Sequence, residues 1–343
     1  MGRVAAFAGR AAIEALAASH AHLLLRPLRR VLGVILKVER VAPPRPDRFQ
    51  PNRAREMTPE FFEALLLELR RRKVDIVPLD EMHRRLIERD TKGDRFACIT
   101  CDDAHAEHHT FVHPICRKHE APFAVFIPSG FPDRIGELWR LILEAAINKT
   151  DRLAILVDGH EQHLDCRTPS EKSDVFEALW SWLLARPTNE EIRAFVDDLA
   201  GRYGVDSQAI CAGACMTWTQ VNALAADPLV TIGAQSVNYP ILAKLPEAKV
   251  RFEMTQSRSV IESAVGVQPN YFAYPFSHSS AAGPREFEIA GELGFKAAFT
   301  SRPGAVRTRH GSRLMALPRM SLAGRAQHLR YLPLMMSGIS VSR

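Results

Sequence analysis

The alternation of apolar strands with amphipathic helices constrains this chain more than any other feature. The runs 96–100 and 122–128 contain no polar break long enough to expose one face, so both faces of these strands must be buried. Helical patterns lie between such runs: Thr58 is a strong N-cap, Pro59 takes the first helical position, and 60–72 follows at helical spacing. Strands buried on both faces and separated by helices predict a parallel sheet or barrel.

The alternation stops between residues 139 and 226. Trp139, Trp180 and Trp182 lie there in helix-like repeats, and strand signals become sparse. We therefore predict an N-terminal amphipathic helical segment at 1–32, a first barrel part at 33–138, a mostly helical insertion at 139–226 and a second barrel part at 227–338.

Charge and hydropathy exclude some classes of protein. The chain has 45 basic and 39 acidic residues among 343, a net charge of +6, and no basic stripe interleaved with aromatics, which argues against nucleic-acid binding. The uncharged stretch 15–25 is shorter than the about 20 residues that span a membrane, and no cleavage site follows it. We expect no transmembrane segment and a cytoplasmic location. The N-terminal helix would pack on the domain or make peripheral membrane contact.

The six cysteines are too few for a disulfide framework in a chain of this length. Two pairs, Cys98 with Cys101 and Cys211 with Cys215, could form a split zinc site. However, Cys98 lies in a strand, which places residues three apart on opposite faces, so we favour buried apolar cysteines. A zinc-bound structural or redox protein is the alternative.

Three strand ends carry polar side chains. Catalytic residues of parallel barrels gather where strands end and loops begin. The first end, 100–105, has two adjacent carboxylates, of which one could hold a metal while the other takes a proton from water. A polar turn with an Asp capping the next helix is the alternative for this segment alone. The second end is 235–238 and the third is 274–277.

Taken in order, these strand ends resemble the motifs of the polysaccharide deacetylase family of the NodB type. The family's motifs T-F-D-D-G-Y, H-S/T-x-x-H and an aromatic P-Y/F-G turn correspond here to T-C-D-D-A-H, Q-S-V-N and Y-P-F-S. Short sequence segments around these motifs match the family as well, so the resemblance extends from about residue 33 to 338. The matching segments are 122–123, 127–131, 229–234, 294–298, 300–304 and 317–319.

The resemblance implies a deformed (β/α) barrel that removes acetyl groups from N-acetylated sugars such as chitooligosaccharides. It also implies a divalent metal, usually zinc, held by one Asp and two His. By the same resemblance Asp102 is the general base and Asp103 a metal ligand, and the two histidines correspond to Gln235 and Asn238. Because amide oxygen is a weak neutral ligand for zinc, we predict a degenerate site with weak or absent metal.

Further departures from the family fall in the predicted substrate pocket. Glutamate stands where a histidine is expected in the first strand, and the family's tyrosine and glycine are replaced by His105 and Ser277. A counterpart of the late L-x-x-H motif, which carries the general acid in many members, is not found. The predicted pocket residues are Glu39, His105, Tyr274, Pro275, Phe276 and Ser277.

Three functions are compatible with this pattern. The first is a polysaccharide deacetylase-family protein with weak or lost activity on N-acetylated oligosaccharides or polysaccharides. The second is a non-catalytic carbohydrate- or protein-binding pseudoenzyme. The third is an active deacetylase with a metal site rebuilt from Asp103, His105 and His278.

Overall fold

The computed structural model describes residues 31–89, 95–157, 159–276, 278 and 280–339. The predicted N-terminal helical segment and its membrane contact lie outside this range, except that residues 31 and 32 begin the first strand. The strands are β1 (Val31–Val38), β2 (Arg40–Val41), β3 (Glu56–Met57), β4 (Asp75–Ile76), β5 (Phe96–Cys101), β6 (Phe123–Ile127), β7 (Arg152–Val157), β8 (His160–Asp165), β9 (Val230–Ala234), β10 (Tyr271–Ala273), β11 (Ala297–Pro303), β12 (Val306–Arg307) and β13 (Leu317–Arg319).

The helices alternate with these strands. They are α1 (Pro59–Arg71), α2 (Leu79–Ile87), α3 (His113–Lys118), α4 (Trp139–Asn148), α5 (Pro169–Leu184), α6 (Asn189–Arg202), α7 (Ser207–Ala214), α8 (Trp218–Ala225), α9 (Glu247–Val265), α10 (Pro284–Glu292) and α11 (Leu332–Met336). Thr58 caps α1 as predicted, because its hydroxyl accepts a hydrogen bond from the backbone N–H of Phe61 at 3.2 Å.

The main sheet curls into a nearly closed barrel. Its strand order is β12-β1-β5-β6-β9-β10-β11-β13, with β4 beside β5, and the neighbours from β1 to β13 are parallel. The residue after β13 closes the ring. Met320 N donates to Ile35 O at 2.8 Å and accepts, through its carbonyl, from Lys37 N at 2.7 Å. The predicted deformed (β/α) barrel is therefore confirmed.

The two faces of the strands bury different apolar clusters. Within β5, Cys98 packs inside the barrel with Phe126 and Phe299, whereas Cys101 packs on the other face against the surrounding helices. All six cysteines are buried and free, and Cys98 and Cys101 lie on opposite faces of their strand. The split zinc site is wrong for this reason, and the buried apolar cysteines are confirmed.

Residues 139–226 follow β6 and precede β9 in the sequence. They form a separate layer, because β6 and β9 pair directly with each other. The layer contains helices α4 to α8 and an antiparallel hairpin of β7 and β8 that the sparse strand signals did not predict. Its own core includes Trp139, Phe176 and Trp180. The domain limits stay a prediction.

Two helices are irregular. A π-helical turn at 108–112 follows residue 105, and α3 continues from it. Near the end of the described chain the segment 327–337 is a regular helix only in α11, where Pro333 lies in the first turn and its missing N–H costs no hydrogen bond. Within the described ranges, we find no helix that is long and apolar enough to cross a membrane.

Candidate functional site

Parallel strands bring the predicted site residues to one edge of the barrel. Asp102 and Asp103 follow β5, Gln235 follows β9, and Glu39 follows β1. The chain turns sharply after the carboxylate pair, since Asp103 has φ +67° and Ala104 has φ +47°. The family's glycine is the residue that adopts this left-handed conformation most readily, so the alanine here occupies a strained position.

Asp102 is held by a buried guanidinium. Arg319, the last residue of β13, donates from Nη1 to Oδ1 at 2.6 Å and from Nη2 to Oδ2 at 2.7 Å. Lys37 Nζ lies 3.5 Å from Asp102 Oδ2, and the Arg319 side chain is fully buried. Both oxygens of the predicted general base therefore already accept hydrogen bonds from a fixed cation.

Asp103 is held by an amide. Gln235 Oε1 accepts from the backbone N–H of Asp103 at 2.8 Å, and Gln235 Nε2 donates to Asp103 Oδ1 at 3.0 Å. Burial, together with the charges of Asp102 and Glu39, raises the pKa of Asp103 to about 7. The carboxyl predicted to bind a metal thus has one oxygen engaged by the residue that replaces the first metal histidine.

Asn238 lies apart from this pair. Its side-chain Nδ2 donates to Glu253 Oε1 at 2.8 Å, and its backbone N–H donates to Glu253 Oε2 at 3.0 Å, on helix α9. Asn238 is exposed and does not line the pocket beside Asp103. The predicted metal ligand Asn238 therefore faces α9, away from Asp103. In H-S/T-x-x-H the second histidine stands four residues after the first, and four residues after Gln235 is Tyr239.

Tyr239 does reach the pocket that Asp103 lines. It has φ +55°, and its ring packs 5.0 Å from that of Phe276 and 5.6 Å from that of Phe131. Burial raises the pKa of the Tyr239 hydroxyl, and the charge of Asp103 raises it further. The residue at the second metal position is thus a neutral phenol.

His105 and Glu39 both line the pocket. His105 Nδ1 lies 3.3 Å from the carbonyl of Ala214, so Nδ1 carries the proton and Nε2 is left 3.9 Å from Asp103 Oδ2. Burial lowers the pKa of His105 to about 4. Glu39 is paired with Lys37 at 2.6 Å and Arg55 at 2.9 Å; these cations lower its pKa although burial alone would raise it.

The pocket encloses about 590 Å³, its open mouth included. Aromatic rings from the helical layer and the barrel line it together with charged groups. The lining residues are Glu39, Arg40, Asn52, Arg55, Asp103, His105, Glu137, Leu138, Trp139, Arg140, Leu141, Trp180, Tyr239 and Phe276.

Of the predicted pocket residues, Glu39, His105 and Phe276 line this cavity, whereas Tyr274 and Pro275 do not. Tyr274 is a core residue because its hydroxyl donates to the carbonyl of Met315 at 2.9 Å beneath the surface. Ser277 lies outside the described residues. The prediction did not include Tyr239, Arg319, Arg55, Arg140, Trp139 or Trp180 as site residues.

The residues at the family's metal position do not fit the zinc site of one Asp and two His. Gln235 and Tyr239 present an amide and a buried phenol, and one oxygen of Asp103 is hydrogen-bonded. Nowhere in the part of the chain that the structure describes do three His, Cys, Asp or Glu side chains converge as a metal site would require. His278 is exposed and pairs through Nδ1 with Ser280 Oγ at 2.6 Å.

Comparison with solved structures identifies the fold. The deacetylase PplD of Streptococcus pyogenes, solved with acetate, matches with a TM-score of 0.59 and 14% identity, over 89% of this chain and 97% of that one. IcaB from Ammonifex degensii matches with a TM-score of 0.57 and 16% identity, over 90% and 98%. A polysaccharide deacetylase from Bacillus cereus gives 0.54 and 10%, over 89% and 68%. The chain thus has the fold of a NodB-type deacetylase.

Sequence comparison matches part of the chain to one family. The sequence model described as polysaccharide deacetylase matches residues 194–298, which hold β9, the turn with Gln235 and Tyr239, and β10. No curated protein matches the chain by sequence. The matched segment and the barrel together make this chain similar to the polysaccharide deacetylases.

Proposed function

We propose that this protein binds an N-acetylated oligosaccharide or polysaccharide in its pocket and does not carry out the zinc-dependent hydrolysis of its family. The observation that carries the proposal is the pair of hydrogen bonds between Gln235 and Asp103. They engage the carboxyl that would otherwise hold a metal, and they come from a side chain that is itself a poor zinc ligand.

The state of the general-base position supports the same conclusion. A base that activates water needs an oxygen within hydrogen-bond reach of that water. Each oxygen of Asp102 is instead bound to Arg319, and Asp102 does not line the pocket. The carboxylate pair therefore serves the structure of the barrel edge.

The pocket keeps the features of a sugar site. Trp139, Trp180 and Phe276 present apolar rings to a cavity that also holds carboxylate, guanidinium and amide groups. A sugar ring has an apolar face and a polar rim, so it is complementary to such a wall. The rings are fixed by mutual packing: the centroid of Phe276 lies 5.6 Å from Trp139 and 6.2 Å from Trp180.

Calorimetric titration with chitotetraose tests the proposal, alongside an acetate-release assay with zinc, cobalt, nickel, manganese or magnesium added. We expect binding without acetate release. Trp180→Ala should weaken binding about tenfold, as truncating a buried aromatic contact does. Trp182→Ala is the matched control, because Trp182 packs on Phe195 and Arg186 and does not line the pocket. Absence of binding, or metal-dependent release of acetate, would contradict the proposal.

A deacetylase with a rebuilt metal site is the second candidate. It is favoured by one observation, the 3.9 Å separation of His105 Nε2 and Asp103 Oδ2, with Nδ1 turned to a carbonyl. The same acetate-release assay decides between the two. If His105→Ala abolished a metal-dependent activity of the wild type, the second candidate would replace the first.

A further inference from the structure

Arg140 differs from the other charged groups that line the pocket. Arg55 pairs with Glu39 at 2.9 Å, Arg40 pairs with Glu107 and with Glu56, and Glu137 accepts from Arg193 Nε at 2.9 Å. Arg140, in contrast, has no carboxylate within 4.0 Å among the described residues. Its single hydrogen bond from the guanidinium runs from Nε to the neutral Asn52 Oδ1 at 2.7 Å.

The acids around Arg140 lie beyond ion-pair distance. Glu177, Glu39 and Glu144 act on its charge electrostatically, and Glu144, one turn further along α4, is itself paired with Arg45 at 3.0 Å and accepts from Asn52 Nδ2 at 2.5 Å. Burial and the neighbouring charge of Arg55 lower the pKa of Arg140 to about 10, so the group remains cationic at neutral pH. Among the described residues, no carboxylate therefore forms an ion pair with this positive charge in the pocket wall.

The guanidinium is also fixed in orientation. Its central carbon lies 4.6 Å from the ring centroid of Trp180 and 4.9 Å from that of Phe176, and Asn52 holds Nε. Aromatic rings cover the face of the guanidinium, so a ligand can approach only its edge. The terminal N–H bonds lie in the plane of the group and point toward that edge. In-plane donation by two N–H bonds is the geometry that binds a planar carboxylate.

We propose that Arg140 recognises a carboxylate on the bound glycan, so that the preferred ligand is an N-acetylated saccharide containing uronic acid. This inference rests on the proposed glycan binding and adds the class of sugar. Neutral rings would stack on the aromatic side chains, and the carboxylate of the ligand would form the ion pair that no described carboxylate forms with Arg140. Residues in the first turn of α4 line the same cavity. The N-terminal end of a helix carries a partial positive charge, which favours an anion there.

The experiment compares two probes that differ only at the uronic acid carboxyl. A hyaluronan tetrasaccharide contains N-acetylglucosamine and glucuronate, and its carboxyl-reduced form has the same linkages with neutral glucose in place of glucuronate. Calorimetric titration of the full chain should show about tenfold tighter binding of the charged probe, the factor expected from one net charge-assisted hydrogen bond. Equal affinity of the wild type for the two probes would overturn the inference without any substitution being needed.

Two substitutions test whether the preference for the charged probe depends on Arg140. Arg140→Gln should abolish the preference, so that the charged and the reduced probes bind this variant with affinities within about twofold of each other. Arg186→Gln is the matched control, because Arg186 also stacks on a tryptophan, at 4.2 Å from Trp182, and lies outside the pocket. A preference that survives in Arg140→Gln would overturn the assignment. So would tighter binding of N-acetylglucosamine 6-phosphate, since it would indicate a phosphate ligand.

The binding measurements distinguish failure of carboxylate recognition by Arg140 from failure of the proposed glycan binding. Binding of chitotetraose and of the reduced probe, with no gain from the carboxylate, would leave the glycan-binding proposal intact and remove Arg140 as an anion receptor. Failure of every saccharide to bind would contradict both.

Discussion

The side chain of Gln235 makes two hydrogen bonds to Asp103, one with its backbone N–H and one with its carboxyl, at 2.8 and 3.0 Å. A histidine at this position could not donate and accept in the same way, because its two ring nitrogens point in divergent directions. The replacement is therefore more than the loss of a metal ligand. It adds a contact between β9 and the turn after β5 that the amide alone supplies.

Restoring the histidines at the right spacing should restore the metal. We expect Gln235→His with Tyr239→His to bind about one zinc per chain, since three protein ligands suffice for a zinc site of the open kind. Metal analysis after dialysis measures it. Gln235→His with Asn238→His is the control and should stay substoichiometric, because residue 238 faces Glu253. Equal zinc in both variants would contradict the placement of Tyr239.

Removing the partner of Asp102 should be costly. Arg319→Met leaves a buried carboxylate without its bidentate cation, which we expect to lower the free energy of unfolding by about 3–5 kcal/mol. Urea denaturation measures this, and adding Asp102→Asn should recover part of the loss. Arg251→Met, which breaks an exposed ion pair with Glu292, is the control and should change the free energy of unfolding little, because solvent screens exposed ion pairs. A loss at Arg319 as small as at Arg251 would show that the buried pair does not stabilise the fold.

Stability should depend on pH through Asp103. Its pKa rises from 3.8 to about 7 on folding, so the folded state holds the proton more tightly than the unfolded state does. This contribution is fully present below pH 3.8 and is lost as the pH rises through 7. Asp103→Asn should therefore flatten the decline in the free energy of unfolding between pH 4 and pH 8, measured by urea titration. Asp151→Asn, at an exposed position, should leave the slope unchanged.

Glu253 should hold the turn that carries Gln235 and Tyr239. It accepts hydrogen bonds from the backbone N–H groups of Val237 and Asn238 and from the Asn238 side chain. Glu253→Ala should cost about 1–3 kcal/mol in the free energy of unfolding, since three partly buried donors lose their acceptor. It should also weaken chitotetraose binding by displacing Tyr239. Glu247→Ala, in the first turn of the same helix and exposed, should change neither quantity measurably.

The barrel could be predicted from the sequence because its strands are apolar on both faces, a pattern with few alternative folds. Phe96, Ile99 and Phe126 illustrate it: each is buried, and their side chains divide between the barrel interior and the helical layer. The β7–β8 hairpin escaped prediction because only alternate residues of β7, such as Leu153 and Ile155, are buried.

The site was predicted less completely, for two physical reasons. Asp103 and Gln235 were found because they directly follow buried strands, whose ends share one edge of the barrel. Arg319 and Arg140 could not be assigned, because an arginine's partner depends on a side chain that reaches across the fold. Tyr239 had a usable signal in the i, i+4 spacing of the motif, whereas Asn238 was one residue off.

The ion pair that closes the barrel edge joins two residues that are synthesised at different times. Asp102 and Arg319 are 217 residues apart, and Met320, which seals β1 to the end of the sheet, comes one residue later. On the ribosome the carboxylate emerges on the order of tens of seconds before its guanidinium. Until then the nascent chain has an open sheet edge and an acid that lacks the guanidinium with which it pairs. The first half of the chain therefore cannot complete the barrel until β13 leaves the exit tunnel of the ribosome.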